Sequence, residues 1–137
     1  MFRLTTVLAG ALAAVFTVAV LSAQDAPPEE YREAMGSIRA AAQAAGAETP
    51  DFAAIQAAAN EARNAFMYVQ TFWQERGDDE AAALAADGSR AAADLAVSAG
   101  LNSAEGVAFA AMEMGETCGA CHMAHRVRLE DGSFAIQ

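Results

Sequence analysis

The sequence predicts an all-α fold, an antiparallel up-down-up-down four-helix bundle. Three observations point there. Apolar residues recur at alternating three- and four-residue intervals in four separate segments. Glycines punctuate the gaps between those segments. The chain is rich in alanine and poor in β-branched residues, which favours helix over strand. Short connections make sequential helices antiparallel neighbours.

An apolar leader precedes the helices. Arg3 is the only charge before Asp25, an apolar run spans Val7 to Leu21, and Ser22-Ala23 offers small residues for cleavage. Residues 1–23 read as an export signal, because the run is too short for a comfortable membrane span. A retained anchor is the alternative. Cleavage after Ala23 leaves a mature chain, 24–137, that is one domain in length.

The first helix is expected over about 28–45. Tyr31, Met35, Ile38, Ala42 and Ala45 share one face. Pro27-Pro28 suits its start and Gly46 its stop. The second is expected over 50–76, with Thr49 as cap and Pro50 in its first turn. Phe52, Ile55, Ala59, Ala62, Phe66, Val69 and Trp73 form a sustained apolar stripe, with Trp73 a core aromatic. Gly77 closes it. The third is expected over 78–99, capped by Asp78, with Ala81, Leu84, Ala91 and Leu95 inward and Gly100 as the stop. Asp87-Gly88-Ser89 interrupts its middle.

The fourth is expected over 102–127. Asn102 and Glu105 resemble a capping box. Val107, Ala111, Met114, Cys118, Cys121, His122 and His125 follow at helical spacing, which places Cys118-Gly119-Ala120-Cys121-His122 on the inward face. The tail from Leu129 to Gln137 carries no assignable pattern.

Cys118 and Cys121 are the only cysteines in 137 residues. C-x-x-C-H is the attachment sequence for c-type haem. Each thiol can bind a haem vinyl group, and the adjacent imidazole can coordinate the iron. An exported chain is consistent with this, since bacterial haem attachment takes place outside the cytoplasmic membrane. A disulfide here would close almost no loop and stabilise little. A redox dithiol usually accompanies a βαβ pattern, which is absent. Structural zinc needs four ligands, and only His125 and distant carboxylates would complete the set.

Charge narrows the classes further. The chain has no lysine and a net charge of −10, or −11 without Arg3. Such an acidic protein is a poor nucleic-acid binder. No nucleophile stands beside a base, so no enzyme is indicated. The paired acids Asp78-Asp79 and Glu29-Glu30 sit at helix starts, where the dipole favours them. An alanine-rich core lets helices approach closely but buries little area. A haem between them adds apolar surface at about 25 cal/mol per Å².

The leader, four helices and C-x-x-C-H in the last helix together resemble the cytochrome c′ family, the class II c-type cytochromes. The matching residues are Cys118, Cys121 and His122, Arg126 four residues later, and Tyr31-Arg32 in the first helix. The resemblance implies one covalent haem c held by Cys118 and Cys121, with His122 as proximal iron ligand. It implies that Arg126 lies near that histidine and a haem propionate or edge, and that Arg32 points to a propionate. It also implies a periplasmic location and often a homodimer through the first two helices. His125 stands where many members carry tyrosine, and reads here as a partly buried or surface histidine.

The distal face is open between two registers. Counting from Arg32, the family's distal position is Gly36; counting by the apolar stripe, the inward residue is Met35. One residue rotates a helix by about 100°. The stripe favours Met35, either as a distal iron ligand or as packing. Met114 suits packing against the haem, Met67 lies off its stripe, and Met123 adjoins the proximal histidine. The expected function is one-electron transfer between redox partner proteins in the periplasm, with no membrane insertion after cleavage. The alternative is a five-coordinate haem that binds NO or CO, for sequestration or sensing.

Overall fold

The computed structural model describes residues 26–137. The leader expected at 1–23 lies outside the described residues. Four helices follow in order: α1 Glu29–Ala45, α2 Phe52–Glu75, α3 Asp79–Gly100 and α4 Ala104–His125. Two short strands, β1 Arg126–Arg128 and β2 Phe134–Ile136, close the chain. Each helix packs chiefly on the next, and α1 touches α4 only sparingly. The result is the expected four-helix bundle.

The stripe of α2 forms the spine of the core. Ile55, Ala59, Ala62, Phe66, Val69 and Trp73 are buried as expected, and Ala65 and Phe72 widen the face. On α1 the buried line is Tyr31, Ala34, Ile38 and Ala41, while Ala42 is exposed. The expected α1 face is therefore displaced by one residue on both sides of Ile38, with Ala34 buried ahead of the half-buried Met35 and Ala41 in place of Ala42. After Ile38, alanine at every candidate position gave the pattern no size contrast.

The interruption in α3 has a packing reason. Gly88 is buried, and a Cβ built on it would stand 2.4 Å from the Phe66 ring. The helix continues through Asp87-Gly88-Ser89, with Arg90 paired to Asp87 on the outer surface. Glycine lets the bulky α2 ring approach the α3 backbone at about 1 kcal/mol of helix propensity.

Two caps differ from expectation. The N-cap of α2 is Asp51, not Thr49, and its carboxylate accepts from the Ala54 N–H at 3.1 Å. Pro50 precedes the helix. The N-cap of α4 is Ser103, whose hydroxyl accepts from the Gly106 N–H at 3.1 Å. Asn102 instead adopts φ 53° and finishes α3, with its N–H on the Ala99 carbonyl and the Ser103 N–H on the Ser98 carbonyl. This is a Schellman turn with asparagine in the left-handed position. Gly100, expected as the stop, is helical. The α2–α3 corner uses the same device with Gly77 at φ 74° and Asp78 as the next cap.

Helix α4 ends at His125, two residues before its expected limit. The tail then folds into an antiparallel hairpin, Arg126 opposite Ile136 and Arg128 opposite Phe134. Asp131 accepts from the Ser133 N–H at 2.9 Å across the turn, and Gly132 takes φ 85°. Ala135 and Ile136 are buried, so the hairpin covers one end of the bundle. Among the described residues no helix is long and apolar enough to cross a membrane.

Candidate functional site

Helix α4 carries the motif on its C-terminal turns. Three- and four-residue spacing sets Cys118 beside Cys121 and His122. Cys118 and Cys121 are half-buried, unpaired thiols, and Cys118 packs against the core cluster. His122 is exposed rather than inward. The motif therefore straddles the border of the core face, which corrects the fully inward placement expected for it. Gly115 and Gly119 continue this exposed flank at helical spacing from His122, and a Cβ on either would meet nothing within 4 Å.

The local field keeps these groups uncharged near neutral pH. Burial pushes the Cys118 thiol up. Burial also raises Cys121, with Cys118 and the Asp78 carboxylate adding to the effect. His122 is lowered, first by loss of solvent on one flank and then by the Arg126 guanidinium. A neutral imidazole is the form that binds a metal. Arg126 thus lies near His122, as the resemblance implies, but on β1 rather than on the helix. Its guanidinium sits 3.4 Å above the Phe134 ring, a cation–π contact.

One end of the bundle gathers side chains from α1, α2 and α4 and from the N-cap of α3. The Trp73 indole N–H of α2 donates to the Tyr31 hydroxyl of α1 at 3.2 Å. Tyr31 also lies 4.7 Å from Phe72, centroid to centroid, and within electrostatic reach of Cys121. The Trp73 ring stands 5.2 Å from the His125 imidazole. His125 Nδ1 lies 3.3 Å from an Asp78 carboxylate oxygen, while the other Asp78 oxygen caps α3 through the Ala81 N–H. His125 Nε2 is buried without a hydrogen-bond partner. Sequence spacing put His125 on the motif's helix face, but its burial depends on Trp73 and Asp78, which no local pattern connects to it.

The remaining expected residues separate clearly. Met35 is half-buried and packs against the core, whereas Gly36 has open space where a side chain would stand. Of the two registers, the one that favours Met35 is the one that faces the protein. Arg32 is exposed on α1. Met114 is fully buried, and Met67, Met112 and Met123 are exposed. A groove of about 280 Å³ between α3 and α4 is lined by Asp87, Asp94, Glu113 and Glu116 among others, and no motif residue borders it. Among the described residues no cluster of three or more histidine, cysteine or carboxylate groups is arranged to hold a metal ion. Compared against known protein families, curated proteins and solved structures, the chain matches none.

Proposed function

We propose that this chain is a periplasmic c-type haem protein of the cytochrome c′ kind that transfers single electrons between redox partners. The observation that carries the reading is chemical: two free thiols and a neutral imidazole, spaced C-x-x-C-H, lie within two turns of one helix.

The residues fit the group. Both thiols are held in the protonated state that adds across a vinyl double bond. With haem supplied, each thiol would add across one vinyl group, sulfur to one carbon and hydrogen to the other, with no net oxidation. Cys118 and Cys121 lie one turn apart on α4, so they would hold the haem along that helix. His122, one turn after Cys118, would supply an imidazole ligand to the iron from the same helix. Gly115 and Gly119 leave the flank beside it free of side chains. The sparse contact between α1 and α4 supplies the seam where a large apolar group costs the least existing packing.

When bound, the haem supplies an iron that cycles between ferric and ferrous states. The chain's own residues tune it. Burial and, second to it, the Arg126 guanidinium hold the His122 pKa down, and Arg126 adds positive charge nearby. Met35, one turn after Tyr31 on α1, stands on the helix that faces the motif across the seam. Its thioether would either serve as a second ligand to the iron or only pack beside the group, which would leave the iron able to take NO or CO. The second outcome is the gas-binding reading, and it is favoured by the contact Met35 makes with the core.

The test is expression with export and a working haem-attachment system, followed by mass spectrometry. The expected result is one added haem, lost in Cys118→Ala/Cys121→Ala. An exported chain without added mass overturns the proposal. Absorbance with and without CO then separates the functions. A reduced low-spin spectrum insensitive to CO marks electron transfer, and a high-spin spectrum that shifts marks gas binding. A low-spin spectrum unchanged in Met35→Ala excludes Met35 as ligand.

A further inference from the structure

The outer face of α4 carries large apolar side chains that the fold leaves in water. Phe109, Met112, Glu113 and Glu116 follow at three- and four-residue spacing, which sets them side by side on that face. Phe109 is 58% exposed and Met112 51%. Helical spacing turns both away from Val107, Ala110 and Met114, which α4 buries in the core. A single exposed apolar residue is ordinary on a protein surface. An aromatic ring and a thioether placed together within a charged surround are the kind of patch that marks an interaction site.

The surround is acidic on both sides. Glu113 and Glu116 also line the groove between α3 and α4, and Asp87 and Asp94 line it from α3. Arg90 is the one cation on that lining, and it is paired with Asp87. Thr117 donates its hydroxyl to the Glu113 backbone carbonyl at 3.1 Å, not to a carboxylate. Among the described residues, Asp94, Glu113 and Glu116 have no ion-pair partner. Glu116 and Thr117 directly precede Cys118, so the face runs along α4 up to the motif.

Charge selects the occupant. A second copy of the chain is disfavoured by its own sign, since each carries a net charge of −10 and no lysine. The same sign repels nucleic acid and anionic lipid. Among the described residues, no three of the carboxylates are arranged to hold a metal ion. What fits is a surface that sets basic side chains around an apolar centre, as protein interfaces set a polar rim around a buried core. We propose that the face centred on Phe109 and Met112, with Asp94, Glu113 and Glu116 at its rim, docks a lysine- or arginine-rich protein. The partner's chemistry is read from the face, while its role as electron donor or acceptor rests on the haem reading above. Opposite charges speed the encounter, and the apolar pair holds the complex once water is expelled from it.

The experiment titrates the exported chain with a lysine-rich class I cytochrome c as the probe, followed by calorimetry and by amide shift changes in nitrogen-15 spectra. Shift changes are expected along α3 and α4 around residues 87–94 and 109–117, with binding that weakens as salt is added. Glu113→Gln/Glu116→Gln should weaken binding about three- to tenfold. Glu33→Gln/Glu61→Gln removes the same charge from exposed positions on α1 and α2 and should leave it within about twofold. Phe109→Ser leaves the core intact, because the ring is exposed, and should weaken binding about tenfold. Equal losses in the two glutamine pairs would reduce the effect to net charge and overturn the face. So would shift changes centred elsewhere, no binding of the probe, or self-association that Phe109→Ser abolishes. Haem content is read separately by mass spectrometry. A chain without haem ends the parent reading, and the titration still decides whether the face binds a basic protein, since none of its residues holds the haem.

Discussion

Two seams of the same bundle are finished in different ways. Between α2 and α3 the polypeptide fills its own space, with the Phe66 ring laid on Gly88 so closely that no Cβ fits. Between α1 and α4 the helices touch sparingly, and Met35 and Cys118 stay half-buried. Glycine marks the contrast. Gly88 exchanges helix propensity for packing, whereas Gly115 and Gly119 give up propensity with nothing against them in the polypeptide. Helices of similar composition thus form one complete contact and one incomplete contact. The difference locates where a non-protein group would add most.

The comparison can be broken most forcefully at the end where both seams meet. Trp73→Ala removes a ring that contacts Tyr31, Phe72 and His125. A loss of about 3–5 kcal/mol in denaturant unfolding is expected. A loss below 1 kcal/mol would mean the cluster does not hold the bundle together. Gly88→Ala attacks the closed seam alone, at an expected cost of about 1–3 kcal/mol for overpacking. A neutral or stabilised variant would show that Phe66 moves freely and that the seam is not tight.

Tyr31 probes the link between the seams. Burial, opposed by the Trp73 hydrogen bond, raises its pKa from 10.0 to about 12. The folded state therefore favours the protonated phenol. Its contribution is fully present below pH 10 and is lost as pH rises through about 12. Stability is expected to fall across that window in the wild type, and this Tyr31 component of the fall is expected to vanish in Tyr31→Phe. At neutral pH the same variant leaves the Trp73 N–H without its acceptor, at about 1–2 kcal/mol. An identical alkaline profile in both proteins would place Tyr31 in water.

The smallest effect has the opposite sign. Gly119→Ala in the polypeptide alone should gain up to about 1 kcal/mol, because open space receives the methyl group. A loss there would show that α4 is already covered on that flank. The pair of glycine variants, one destabilising and one stabilising, measures the contrast between the closed α2–α3 contact and the open flank of α4.

The sequence made the core of α2 legible because its stripe contains large residues, Phe52, Ile55, Phe66, Val69 and Trp73, with distinct spacing. The face of α1 was read less well, since alanines at 34, 41, 42 and 45 offer no contrast in size. The caps slipped by one or two residues where several capping side chains stand together: Thr49 and Asp51, Asn102 and Ser103. The hairpin was missed, although Asp131-Gly132 between Arg126-Val127-Arg128 and Phe134-Ala135-Ile136 is a turn signal with short alternating flanks. The thiols and His122 were legible as a motif. The surroundings of His125 were not, because Trp73 and Asp78 meet it only through tertiary packing.

The corners carry a consequence for the motif. At both α2–α3 and α3–α4, a left-handed residue is followed at once by the cap of the next helix, with no slack between. Asn102 thereby acts as an indexing tooth for the whole of α4. Adding one residue beside it would turn the helix by about 100° and carry the two thiols away from the seam. The angular setting of the sulfurs is decided at a corner more than a dozen residues upstream of them.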